Sequence, residues 1–210
     1  MFHQKKRSLW AVLIGGVILS AGCSSAPKVV RVDADTQIDL TGNWNDQDVK
    51  IVCDSLINDC LKAGRVAQFI KQYSAEHEGR RPSAIVGRFR NDSSEHIDTS
   101  VIAKSLEIAI VQDGRLDFVA GGETRDELRE ERQDQQAQAS EETASALGKE
   151  TGAVFLLTGA VKSIVDKAGD TTVRSYFVSA ELTSIETNTR LWMGQNSEIK
   201  KVIKQPKYKL

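Results

Sequence analysis

Apolar residues recur at Val49, Val52, Cys53, Leu56, Ile57 and Cys60. That is the i, i+3, i+4, i+7, i+8, i+11 spacing of one helix face. Asn45 or Asp46 is placed to cap this helix, Asp46 and Asp48 give it an acidic first turn, and Gly64 suits its stop. A shorter helix is predicted over Arg65–Tyr73. After Pro82, Ser83–Arg90 reads as a strand carrying Ala84, Ile85, Val86 and Phe89. A polar loop over Asn91–His96 leads to a further amphipathic helix, capped by Asp98 or Thr99. It carries Ile102, Leu106, Ala109 and Ile110 and runs through Val111, with Gly114 at its end.

Leu116–Ala120 is a short apolar strand. The stretch from Gly121 to Gln138 has Leu128 as its sole large apolar residue. It is either a solvated helix that adds little to a core or an arm that contacts a partner. Ser140 is placed to cap another helix through Glu150, with Ala144 and Leu147 inward. Three strands then follow one another over residues 153–165, 171–183 and 189–198, separated by turns at 166–170 and 186–188. The order αα–βα–βα–α–βββ predicts an α+β fold, a mixed sheet of about five strands with helices packed on it.

The N-terminus follows a different logic. Lys5, Lys6 and Arg7 precede an apolar run from Leu9 to Leu19, eleven residues long. That is the length of a signal-peptide core and short of a membrane span. Leu19-Ser20-Ala21-Gly22-Cys23 resembles the bacterial lipobox. It predicts cleavage between Gly22 and Cys23, with acyl chains on the Cys23 thiol. Ser24 rather than aspartate follows the cysteine, which in the enterobacterial sorting rule resembles an outer-membrane address. The expected organisation is a signal peptide over 1–22, a lipidated tether over 23–38, an α/β domain over 39–200 and a basic tail over 201–210. The fifteen residues after Cys23, up to Ile38, reach at most about 50 Å when fully extended.

Charge narrows the partners. Residues 1–22 hold three of the 28 basic residues and none of the 29 acidic ones, so the mature chain carries four more acidic than basic groups. Such a chain has no global excess of cations for a polyanion, which argues against nucleic acid. Cys53 and Cys60 lie seven residues apart in a helical pattern. A continuous helix separates them by about 10 Å along its axis, beyond disulfide reach, so they read as two buried thiols. No metal-ligand spacing accompanies them, and no cofactor is expected. The sequence contains no Gly-rich phosphate loop and no G-x-S-x-G elbow. Glu76/Glu78 and Glu141/Glu142 lie in polar segments and do not share a helix face. His77 and His96 fall in polar loops as plain surface residues. Trp44 is either a packing residue or a partner anchor. The lysines at 200, 201, 204, 207 and 209 are either a frayed solvated end or a contact for anionic lipid or wall polymer. An enzyme is not indicated.

Five segments carry a family resemblance: DLTGNWN at 39–45, VGRFRNDSS at 86–94, DGRLDFV at 113–119, TGAVFLLTG at 151–159 and ETNTRLWMG at 186–194. In this order they resemble the LpoB-type penicillin-binding-protein activators, which are outer-membrane lipoproteins. The resemblance spans residues 39–200. It implies a fold like the amino-terminal domain of TolB, shared with CsgG-type secretion lipoproteins. It also implies a non-catalytic, monomeric domain facing the periplasm. That domain binds a class A penicillin-binding protein, a peptidoglycan synthase, and activates it, while Cys23 holds it to outer-membrane lipid. The shared fold keeps open a second function, as a structural or assembly component of a CsgG-like export machine. No partner-contacting residue transfers from the family. The enterobacterial member has a long Pro-rich tether; the tether here is short and has one proline.

Overall fold

The computed structural model describes residues 30–33, 36–140 and 150–205. The fold below is that of the compact unit beginning at Gln37. Asn45 starts α1 (Asp46–Lys62): its side chain accepts from the Asp48 backbone, and the Asp48 carboxylate accepts in return from Asn45 N–H. This reciprocal cap satisfies two of the free N–H groups at the helix start. The predicted stripe is the buried one, with Val52, Cys53, Leu56 and Cys60 all at most 3 % exposed. The helix breaks one residue before the expected stop. Ala63 takes an extended backbone, and Gly64 opens α2 (Gly64–Glu76) instead of ending α1.

Strand β1 (Ser83–Asn91) leads through the Asp98 cap into α3 (Thr99–Asp113). Gly114 closes that helix in the left-handed region, where a Cβ would be strained. The following strand, β2 (Asp117–Phe118), is shorter than its apolar run suggested. The polar stretch forms a helix, α4 (Gly122–Gln138), with no buried residue. Arg129 grips Glu150 through two bonds of 2.8 and 3.1 Å, and Arg132 adds a third of 3.2 Å. The helix predicted from Ser140 to Glu150 falls largely outside the described residues.

Strands β3 (Phe155–Ala168) and β4 (Thr171–Ser184) pair without interruption from Phe155↔Ser184 to Ala168↔Thr171. The expected turn at 166–170 shrinks to Gly169 and Asp170, with Gly169 at φ +59°. At ~3.3 Å per residue this hairpin is about 45 Å long. Next come β5 (Arg190–Asn196) and, within the segment expected to be a basic tail, a further strand, β6 (Lys200–Lys204). Both lie on the same edge of β4: β5 along Val178–Thr183, and β6 along Thr171–Ser175. The reason is alternation. Lys201 and Ile203 point to one face and are half-buried, while Lys200, Val202 and Lys204 point to the other and are exposed. Lysine-rich composition concealed an edge strand, where lysine is at home.

The sheet order is β2-β1-β3-β4-β5, with β6 also on β4. β1 runs parallel to β2 and β3, and the other pairs are antiparallel. The sheet is therefore mixed and the fold α+β, with six strands. Helices α1, α2 and α3 cover one face and bury Ile102, Leu106, Phe155, Leu157 and Val178 against it. Phe69 of α2 meets Phe155 at a ring distance of 4.9 Å. Trp192 of β5 is buried, and its indole N–H donates to Asp59 of α1 at 2.8 Å. Among the described residues, no helix lies along the centre of the opposite sheet face.

Candidate functional site

Residues 39–45 cross the β4/β6 ladder as a strap before α1 begins. Two cations of that ladder hold them. Arg174 donates to the Gly42 carbonyl at 3.1 Å, to the Asn43 side chain, and to Glu95 at 2.7 Å. Lys201 donates to Asp48 at 2.7 Å, to Asp39 at 2.9 Å and to the Asn43 carbonyl at 2.9 Å. Glu95 is the hub. It also accepts from the Tyr176 hydroxyl at 2.6 Å and from Trp44 N–H at 3.1 Å. Burial, and then the Glu95 carboxylate beside it, pushes the Tyr176 phenol above its ordinary range, so it stays a donor. The Lys201 ammonium holds the Asp39 carboxyl below the usual aspartate value. Trp44 packs edge-on to Tyr176 with ring centroids 5.2 Å apart. Of the two readings of Trp44, packing is the one observed.

The uncovered sheet face offers a different surface. Thr158, Ala160 and Ser179 form a floor of small side chains. Arg88 and Arg90 of β1 rise on one side, and Glu181, Arg190 and Met193 on the other. Arg190 pairs with Glu181 at 3.0 Å. Met193 is 65 % exposed. Arginine and methionine are enriched where proteins meet, and the shallow floor suits a protein surface better than a small molecule.

Gly22 and Cys23 lie outside the described residues, as do Glu141 and Glu142. His77 and His96 are exposed, and His77 stacks on Tyr73 at 3.9 Å within its own helix end. Glu76 and Glu78 are exposed as well. Among the described residues no cluster of three metal-ligating side chains occurs. Cys53 and Cys60 are free and buried, and burial pushes both thiols up to about 12. Neither thiol is expected to react with an alkylating reagent at neutral pH in the folded protein, whereas both should react in denaturant. Peptide mass spectrometry would read this, and labelling of either in the native state would contradict the packing described.

Sequence reading missed the Glu95–Arg174–Lys201 cluster. Glu95 sits in a polar loop and Lys201 in a basic run, and nothing local marks either as buried. Only the alternation of residues 200–204 could have signalled it.

The family model described as Peptidoglycan-synthase activator LpoB matches residues 48–197. The chain belongs to this family. The LpoB match runs from the first turn of α1 to the end of β5, and so takes in both the strap's anchoring helix and the open sheet face. No curated protein matches the chain significantly. Among solved structures, the LpoB C-terminal domain from Salmonella enterica is 14% identical, with 71% of this chain and 97% of that one covered and a TM-score of 0.41. The NMR structure of Escherichia coli LpoB is 12% identical, covering 87% and 85%, with a TM-score of 0.40. The lipoprotein GNA1162 from Neisseria meningitidis is 18% identical, covering 58% and 83%, with a TM-score of 0.38. No helix among the described residues is long and apolar enough to cross a membrane.

Proposed function

We propose that this chain is a non-catalytic lipoprotein that binds and activates a class A peptidoglycan synthase. Acyl chains on Cys23, added as the signal peptide leaves at Gly22, hold it to the outer membrane with its domain in the periplasm. The observation that carries this reading is the family match over 48–197, which spans most of the folded unit. The lipobox and signal-peptide pattern supply the compartment. Acylation by more than one chain makes the anchor lasting, because each buried methylene contributes roughly 0.8 kcal/mol. The export-component reading is not favoured, since the matching family is one of synthase activators.

Activation by a binding module means that the docked state of the synthase is the more active one and is bound more tightly. The open sheet face is the surface offered for that contact, and its arginines ask for an acidic patch on the synthase. The tether adds a condition. Tether and hairpin together reach no further than about 100 Å, so the synthase must present its docking region within that distance of the outer membrane.

The test is glycan polymerisation by the cognate class A synthase with the acylated protein added. Stimulation is expected, together with a crosslink between the two proteins. The charge-reversed variant Arg88→Glu/Arg190→Glu is expected to need at least tenfold more protein for the same stimulation. Its denaturation midpoint should fall by an amount worth no more than about 1 kcal/mol, the worth of the exposed Arg190–Glu181 pair that it breaks. If the wild-type protein gives no stimulation and no crosslink, the reading is overturned.

A further inference from the structure

Beyond Ser163 and Tyr176 the β3/β4 hairpin, with β6 along its side, extends past the helix layer. Every residue of β3 from Ile164 to Ala168 is exposed. Alternation along the ladders puts Lys162, Ile164, Asp166, Val173, Lys200, Val202 and Lys204 on one face of this tip and Lys167 on the other. Ile164 is 61 % and Val202 60 % exposed, an unusual exposure for β-branched residues in paired strands. Lys162, Lys167, Lys200 and Lys204 make no ion pair among the described residues, and the acidic residues at the tip are Asp166 and Asp170. Apolar side chains flanked by lysines that have no ion pair among the described residues match a surface with an anionic skin over an apolar interior.

The chain's path says which surface that is. The strap that follows the tether lies on β6: Asp39 bonds Lys201, and Gly42 sits against Ile203. After β6 the sequence continues into Lys207 and Lys209. The tether therefore joins the domain at its lysine-bearing end. Fifteen residues lie between Cys23 and Asp39, a reach of at most about 55 Å from one to the other.

We infer that the β3/β4/β6 tip is a membrane-facing surface that rests on anionic phospholipid headgroups of the leaflet holding the Cys23 acyl chains. This rests on the anchored reading given above. Four lysines near an anionic surface supply only a weak attraction, roughly millimolar. A short tether supplies a local concentration of that same order, so contact is well populated once the chain is anchored and sparse when it is free. Resting on the tip brings the domain close to the bilayer.

The experiment uses the acylated mature protein on vesicles containing phosphatidylglycerol and a headgroup-nitroxide lipid. A dye is placed at Val202→Cys or, as a distant control in the β4–β5 turn, at Glu186→Cys. The buried Cys53 and Cys60 leave the new thiol selectively labelled. Quenching at 202 is expected to exceed that at 186 at least threefold. It should fall to the control level when Lys162, Lys167, Lys200 and Lys204 become glutamine, or when phosphatidylcholine replaces phosphatidylglycerol. Equal quenching at both positions, or quenching at 202 indifferent to the lysines or to lipid charge, overturns the tip contact while leaving the anchor standing. Self-quenching at 202 that rises with protein density on neutral vesicles assigns the face to a second copy and also overturns it. A folded protein that does not sediment with vesicles at all fails the anchor itself, and the tip contact with it.

Discussion

Replacing Glu95 with alanine is expected to destabilise the domain by about 3 kcal/mol, the cost of removing one partner from a largely buried ion pair. Glu95 and Arg174 are 13 % and 17 % exposed in their side chains. The glutamate accepts from Arg174, Tyr176 and Trp44 N–H together. Without it, the guanidinium keeps Gly42 and Asn43, and among the described residues its Nε already has no hydrogen-bond partner. The Tyr176 hydroxyl keeps one long bond of 3.3 Å to the Gly42 carbonyl. The urea midpoint measures the loss. Glu95→Gln should recover part of it, since the single amide oxygen can still accept from Tyr176 or from Trp44 N–H, which use different oxygens of the carboxylate. A double variant Glu95→Ala/Arg174→Met should be more stable than Glu95→Ala alone, because no buried charge is left unpaired. A midpoint shift worth less than ~1 kcal/mol for Glu95→Ala would mean that the cluster is solvated and is not a clamp.

Gly159→Ala is expected to cost about 2–3 kcal/mol, at the upper end of what overpacking does. A methyl at Gly159 falls 2.3 Å from the Phe89 ring and 2.3 Å from the Ser179 carbonyl oxygen. Phe89 is 2 % exposed and has no free volume into which to swing. The carbonyl belongs to β4, so relief there means parting the central ladder. The companion change Phe89→Ala should therefore fail to restore stability: it relieves the ring, leaves the oxygen contact, and opens a cavity. Thermal unfolding of the single and double variants decides this. Rescue by Phe89→Ala would show that β4 yields more easily than its pairing implies.

Sequence pattern carried the helices and strands wherever an amphipathic repeat met a local stop signal. The stripe of α1, the Asp98 cap and Gly114 stop of α3, and the alternation of β4 are all local statements. They hold because the face that each repeat makes apolar is the face that is buried. Tertiary contact decided the rest. Gly64 could equally end one helix or open another, and the extended backbone at Ala63 settles it. Residues 166–168 read as a turn from composition, yet they stay in the ladder because β4 continues opposite them. The lysines of β6 looked like a solvated tail, since their partner strand lies about thirty residues earlier in the chain. The strap cluster was hidden for the same reason: Glu95, Arg174 and Lys201 each look ordinary, and only the sheet brings them together. The proposed lipobox would be the converse case, since a processing enzyme reads such a motif as sequence.

The strap also has a mechanical meaning. With Cys23 held in a bilayer and the sheet engaged elsewhere, any tension between the two enters the folded unit at residues 39–45. There it meets Lys201 and Arg174 side by side, so the load is shared between two ionic grips before a helix or strand has to yield. Those grips belong to neighbouring strands, and the force passes into the β4/β6 ladder instead of being spent unwinding α1. The terminal strand thus acts as a fastening plate for the tether. A domain so fastened can be pulled by its anchor without presenting a changed sheet face to whatever it holds.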